Sequence, residues 1–189
     1  MKNSKAIKNA TICAACIALC YVLPIAFHSV GLGSVLSPLH LPVLLCGIVC
    51  GGWYGLFCGI AGPLLSSVLS GMPGPMMLIT MVPELMAYGL VTGIAMKYIR
   101  TGRTIADLYI ALIIAMIAGR IIGGLAQIVS IQLIGIDKAF GIFVWINSYF
   151  IGTMPGILCQ LAVIPVLVLT LMKAKVIPNR YQKVDVIYG

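Results

Sequence analysis

The placement of charge constrains this chain more than any other feature. Its 189 residues include only 12 Lys and Arg and 4 Asp and Glu, and nearly all of them fall between long apolar runs. At a mean hydropathy of +1.14 and 8% charged residues, against about 25% in soluble domains, the bulk of the chain must be solvated by lipid. A span needs roughly 20 apolar residues, fewer where a helix is short or buried among its neighbours. The runs place six, at about 6–27, 39–51, 53–70, 78–99, 105–134 and 146–172. The expected fold is an all-α membrane protein, a six-transmembrane-helix bundle forming one domain over residues 1–189, with a tail from about 173 onward. The second run is too short to cross by itself. Gly51-Gly52 divides it from the third, which suggests a tight helical hairpin or one irregular helix.

Basic residues set the expected orientation. Lys2, Lys5 and Lys8 precede the first span, Lys97, Arg100 and Arg103 join the fourth to the fifth, and Lys173, Lys175, Arg180 and Lys183 follow the sixth. With six spans these clusters share one side, the cytoplasm, so the N and C termini are both expected to be cytoplasmic. The opposite loops, at about 28–38, 70–78 and 135–145, hold only Asp137 and Lys138 as charged residues. The +8 net charge is thereby a consequence of topology, and nothing in it points to nucleic acid. The first span reads as a retained helix rather than a signal peptide, because no small-x-small cleavage site precedes a polar start. All seven cysteines lie in expected spans and read as small apolar packing residues. Cys13-x-x-Cys16 has no second Cys/His pair to complete a metal site, so no metal is expected.

An ionisable group at membrane depth is expensive and points to function by default. Glu84 follows Pro83 about one and a half turns into the fourth span, where the proline frees the carbonyl of Ile79 and the carboxylate needs a partner. Tyr88 is one turn further along the same face, and His40 opens the second span between Pro38 and Pro42. Gln127 on the fifth span falls near the expected depth of Glu84, Asn147 begins the sixth at a shallower level, and Trp145 and Tyr149 adjoin it. Arg120 lies about two turns deeper than Gln127, too far from either end to snorkel. It needs an anion: Glu84 in a structural pair, a ligand carboxylate, or carbonyls at a helix end. Gly71-Met72-Pro73-Gly74-Pro75-Met76-Met77 cannot be regular helix and reads as an ordered loop able to cap a cavity. Small residues recur every four positions in two places, at Ala6, Ala10, Ala14 and Ala18 and at Gly47, Gly51, Gly55 and Gly59. Such faces let helices approach closely in lipid. The glycine run is read as internal packing, and the alanine stripe as either internal packing or docking to a separate membrane subunit.

The chain has no G-x-x-x-x-G-K-[ST] loop, no H-E-x-x-H and no evident inverted repeat of broken helices. P-loop ATP hydrolysis is excluded, and a self-sufficient secondary transporter is disfavoured. A small membrane enzyme would be expected to show a nucleophile with a base or a metal cluster at depth. A membrane scaffold would not need Glu84, Gln127 and Arg120.

The alanine stripe, the segment from Ser37-Pro38-Leu39-His40 to Cys46-Gly47, the run Gly59-Ile60-Ala61-Gly62-Pro63-Leu64-Leu65-Ser66-Ser67, and Glu84 with Ala118-Gly119-Arg120 together resemble the substrate-binding S components of energy-coupling factor (ECF) vitamin transporters. The resemblance covers essentially the whole chain and is strongest to the branch assigned to pantothenate. It implies a subunit of the bacterial cell membrane that is not itself an enzyme. Such a subunit captures a water-soluble vitamin from outside, in a cavity under the outer loops and the outer ends of helices four to six. The expected substrate-binding residues are Glu84, Tyr88, Arg120, Gln127, Trp145, Asn147 and His40. Ala10, Ala14 and Ala18 would form the interface with a transmembrane coupling subunit, and two ABC ATPases would use ATP to drive the cycle. No cofactor is expected in this chain. Because Glu84 would repel an anionic vitamin unless neutralised, a pyridoxine-type or nucleoside-like precursor stays open as the cargo.

Overall fold

The computed structural model describes residues 2–29, 31, 38–134, 147 and 151–177. Regular structure among them is helical: α1 Lys2–Ser29, α2 His40–Cys50, α3 Gly52–Ser70, α4 Pro75–Tyr98, α5 Thr104–Ile134 and α6 Met154–Lys173. Five of these helices are long and apolar enough to cross a membrane, and α2, with 11 residues, is not. The outward stripe of α5, Ile110, Ile113, Ile117 and Ile121, is exposed. An apolar surface of this kind is suited to lipid rather than water. The sixth helix starts later than its apolar run, at Met154, where Pro155 fills a first-turn position that needs no amide donor. Trp145, Tyr149, the segment 135–146 and the tail beyond 177 lie outside the described residues.

Close backbone approach organises the centre. The second apolar run is a helical hairpin, turned at Gly51 with φ +98, a conformation that L side chains rarely adopt. A Cβ added to Gly55 would lie 2.8 Å from Cα of Gly47, so the two arms touch backbone to backbone. Both arms then seat on α4: Cβ atoms on Gly47 and Gly55 would each collide with the carbonyl of Gly89, and one on Gly59 would lie 2.5 Å from that of Leu85. The glycine run is therefore internal packing, with α4 as the central helix against α2, α3 and α5. A thiol layer joins α1 to the hairpin. Cys13, Cys16 and Cys20 of α1 are buried with Cys46, Cys50 and Cys58, and the Cys46 thiol contacts those of Cys16, Cys50 and Cys58. All are free cysteines that fill the gap as small hydrophobes. Asn9 and Cys50 add reciprocal bonds, Nδ2 to the Cys50 carbonyl at 3.4 Å and the Cys50 thiol to the Asn9 carbonyl at 3.5 Å.

The turn between α3 and α4 is shorter than expected: residues 71–74 are non-helical, but Pro75, Met76 and Met77 already belong to α4, because a proline in the first turn needs no amide donor. Ser66 and Ser67 donate to the carbonyls of Met72 and Pro73, each at 2.8 Å, and Gly71 closes α3 in the left-handed conformation. Between α4 and α5, Asp107 accepts from the Thr101 amide at 2.8 Å and the Thr101 hydroxyl at 2.7 Å, which pins the basic loop to the start of α5.

Candidate functional site

Where α2 begins, three of the anticipated polar residues meet. Tyr88 donates its hydroxyl to Oε1 of Glu84 at 3.1 Å, as two residues one helical turn apart on α4 can. Nε2 of His40 lies 3.7 Å from the same oxygen, too long for a hydrogen bond but within ion-pair range when the imidazole is protonated. The His40 and Tyr88 rings meet edge to face at 5.0 Å. All three residues are buried: Tyr88 is 0% exposed, His40 6% and Glu84 9%. Glu84 is nine residues from the start of α4 at Pro75, so the cluster sits about 13 Å below that end of the bundle. This depth accounts for the shortness of α2, which starts at the cluster rather than at the membrane boundary. Its N-terminal dipole is directed at a level where a carboxylate lies.

Two glycines on α5 make room for the acid and the phenol. A Cβ on Gly119 would lie 2.8 Å from Cε1 of Tyr88, and one on Gly123 would lie 3.0 Å from Oε2 of Glu84. Arg120 is adjacent to Gly119 and 4% exposed, so it shares the level of the Tyr88–Glu84 turn rather than lying far beneath it. Sequence spacing from the ends of two helices placed it deeper, because helix ends are a poor common ruler for helices of 24 and 31 residues. Among the described residues, the ion-pair contact of Glu84 is with His40, not Arg120. Gln127 is half-buried, one turn beyond Gly123 toward the end of α5, and Asn147 is exposed ahead of α6. Trp145 is outside the described residues. Ala10, Ala14 and Ala18 are exposed along α1, opposite its buried cysteines.

One polar residue escaped the sequence reading. Gln160 on α6 is 1% exposed, and its Oε1 has no hydrogen-bond partner among the described residues. A carboxamide in the middle of an apolar run is the same signal that singles out Gln127. Gly119 figured only in the Ala118-Gly119-Arg120 motif and Gly123 not at all, since glycine in an apolar helix announces no partner. No group of three or more His, Cys, Asp or Glu among the described residues is disposed to hold a metal ion.

The site thus offers a buried acceptor, Glu84, bonded by a phenol and flanked by an imidazole, with a guanidinium one residue from the glycine seat of Tyr88. Such a constellation has the donors and acceptors to hold a small polar molecule. Comparison with known proteins agrees with this reading at the level of family. The family described as "ECF transporter, substrate-specific component" matches residues 8–177. No curated protein and no solved structure matches the chain. With five helices of spanning character, a buried polar cluster and a family match over nearly its whole length, this chain belongs to the substrate-specific components of ECF transporters: a multi-pass membrane subunit that captures substrate and is not an enzyme.

Proposed function

We propose that the chain captures pantothenate from outside the bacterial cell membrane and passes it inward with a transmembrane coupling subunit and two ABC ATPases. In this reading all six helices form the transmembrane unit and both termini are cytoplasmic. The observation that carries the proposal is the buried His40–Glu84–Tyr88 cluster at the level of Arg120. A vitamin bearing a carboxylate, an amide and hydroxyls needs a cation, acceptors and donors within one small volume. Arg120 serves the carboxylate, while Glu84 and Tyr88 serve the hydroxyls. His40 lies 3.7 Å from the Glu84 carboxyl and Arg120 is at the same level, so basic side chains accompany the acid where an anionic cargo would be held. Gln127, Asn147 and Trp145 complete the binding set from the outer side, and Ala10, Ala14 and Ala18 receive the coupling subunit.

A pyridoxine-type or nucleoside-like ligand is the second reading, favoured by the buried carboxylate itself, which suits an amine or a hydroxyl-rich ring. Calorimetry and thermal unfolding of the purified protein against water-soluble vitamins and their precursors decide between them. Pantothenate at a thousandfold excess over its dissociation constant is expected to stabilise the fold by roughly 4 kcal/mol. A pyridoxine-type or nucleoside-like hit transfers the assignment to that ligand. A folded protein that binds none of the panel refutes the vitamin reading.

A further inference from the structure

At the end of the bundle that carries the basic clusters, the start of α5 and the end of α6 flank a groove of about 770 Å³. Arg103, Lys173 and Lys175 line it, over an apolar floor that includes Ile105, Leu169 and Met172. No acidic residue is among the described residues that line it. The nearest acid along α5, Asp107, is fully buried and bonded to the Thr101 amide and hydroxyl. The helices α5 and α6, both of spanning length, pack on each other only sparsely among the described residues.

The third cation is held at a cost to the backbone. Val176 donates its amide to the Leu171 carbonyl at 3.0 Å and Lys175 to that of Met172 at 3.1 Å, the paired bonds of a left-handed helix stop. Lys175 occupies its turning position at φ +56, where glycine is the usual residue. A lysine there turns the chain less comfortably than glycine would, but it adds a cation beside Lys173 and Arg103.

We propose that this groove binds the phosphate headgroup of an anionic phospholipid, with an acyl chain lying along the α5–α6 cleft. Three cations without a lining acid complement a phosphate, and basic pockets between membrane helices are suited to anionic headgroups. The apolar floor separates a lipid from a soluble phosphate, which has no use for Ile105, Leu169 and Met172. The inference is independent of which vitamin the cluster around Glu84 takes.

The test titrates the delipidated full-length protein with phosphatidylglycerol or with phosphatidylcholine of the same acyl chains, counting bound lipid by native mass spectrometry. Phosphatidylglycerol is expected to bind at least tenfold more tightly, with the margin shrinking as salt is raised. Lys175→Gly should weaken it about fivefold, the worth of one cation near a headgroup. The same variant should unfold in phosphatidylcholine at a temperature no lower than the parent, because glycine suits the helix stop. Combining it with Arg103→Gln and Lys173→Gln should erase the lipid preference. Equal binding of the two lipids, or a preference that survives all three substitutions, overturns the proposal. So does displacement of phosphatidylglycerol by millimolar inorganic phosphate, which would make this a soluble-anion site. Loss of coupling-subunit capture in the triple variant, with lipid binding unchanged, would give the groove to a protein partner and equally overturn it.

Discussion

Tyr88→Phe removes a single oxygen from the buried cluster and so isolates what the phenol does for Glu84. Removing the donor leaves a buried acceptor short of a partner, which costs about 1–3 kcal/mol. Thermal unfolding of the purified variant should show a loss of that size, with weakened ligand binding. Gly123→Ala should act differently: its Cβ would crowd Glu84 at 3.0–3.1 Å, tight enough to move the carboxylate but not to part the helices. Ligand affinity is then expected to fall more than stability, measured by calorimetry beside the unfolding curve. Parent-like binding in both variants would remove Glu84 from the site. His40, Glu84 and Arg120 were legible in the sequence because an ionisable group in an apolar run has to be explained, whatever surrounds it. Their mutual arrangement was not, since nothing local says that His40 rather than Arg120 meets the acid. Gln160, a carboxamide and not an ionisable group, gives a weaker signal of the same kind and was missed. The seats at Gly119 and Gly123 were not legible, because their meaning lies on another helix.

Among the helices, the seam of α2, α3 and α4 sets how closely the bundle packs. Small residues carry helix association in lipid, where burial of apolar surface gives no net drive between helices. Gly89 is, with Gly93, among the tightest points, since an added Cβ would meet the carbonyl, C and Cα of Gly55, all backbone, which no side-chain rotation relieves. Gly89→Ala is therefore expected to lie at or above the upper end of the 1–3 kcal/mol typical of overpacking, read as a large drop in unfolding temperature or a failure to accumulate. Gly74→Ala is its control, because nothing lies within 4 Å of the new Cβ and the backbone is extended. It should stay within about 0.5 kcal/mol of the parent. Equal behaviour of the two variants would mean that the seam is looser than its backbone contacts indicate. The spacing by four exposed one side of this seam in the sequence, and the glycine pair at 51 and 52 exposed the hairpin. The identity of α4 as the partner did not follow, because periodicity names a face and not what covers it.

On the scale of the whole molecule, α1 separates what holds the chain together from what it presents outward. Cys13, Cys16 and Cys20 face the thiol layer, whereas Ala6, Ala10, Ala14 and Ala18 are exposed among the described residues. From the sequence alone the alanine stripe was open to internal packing or to docking. Its exposure among the described residues is compatible with the docking role proposed above. The existence of α1 to α5 was legible from hydropathy, and the ends of α2 and α3 fell within a residue of the breaker at 51 and 52, whereas α1 and α4 begin three or four residues before their apolar runs, in polar or proline-bearing sequence that hydropathy does not score as helix. The start of α6 was not legible either, since the apolar run continues upstream of Met154-Pro155 and hydropathy cannot see where a helix begins within such a run. S components of this family work with a membrane coupling component and ATPases. A smooth helix face is the kind of surface that a second membrane subunit can approach. Ala14→Leu places a branched side chain on that face without touching the core, so stability should stay within about 0.5 kcal/mol and vitamin binding should be unchanged. Capture of the coupling subunit and ATPases on co-expression should fall at least tenfold, the equivalent of about 1.4 kcal/mol at the interface. Cys16→Leu puts the same bulk on the opposite, buried face, where overpacking should lower stability by about 1–3 kcal/mol. If Ala14→Leu still assembles as the parent does, the coupling subunit docks elsewhere and the stripe has only lipid to face.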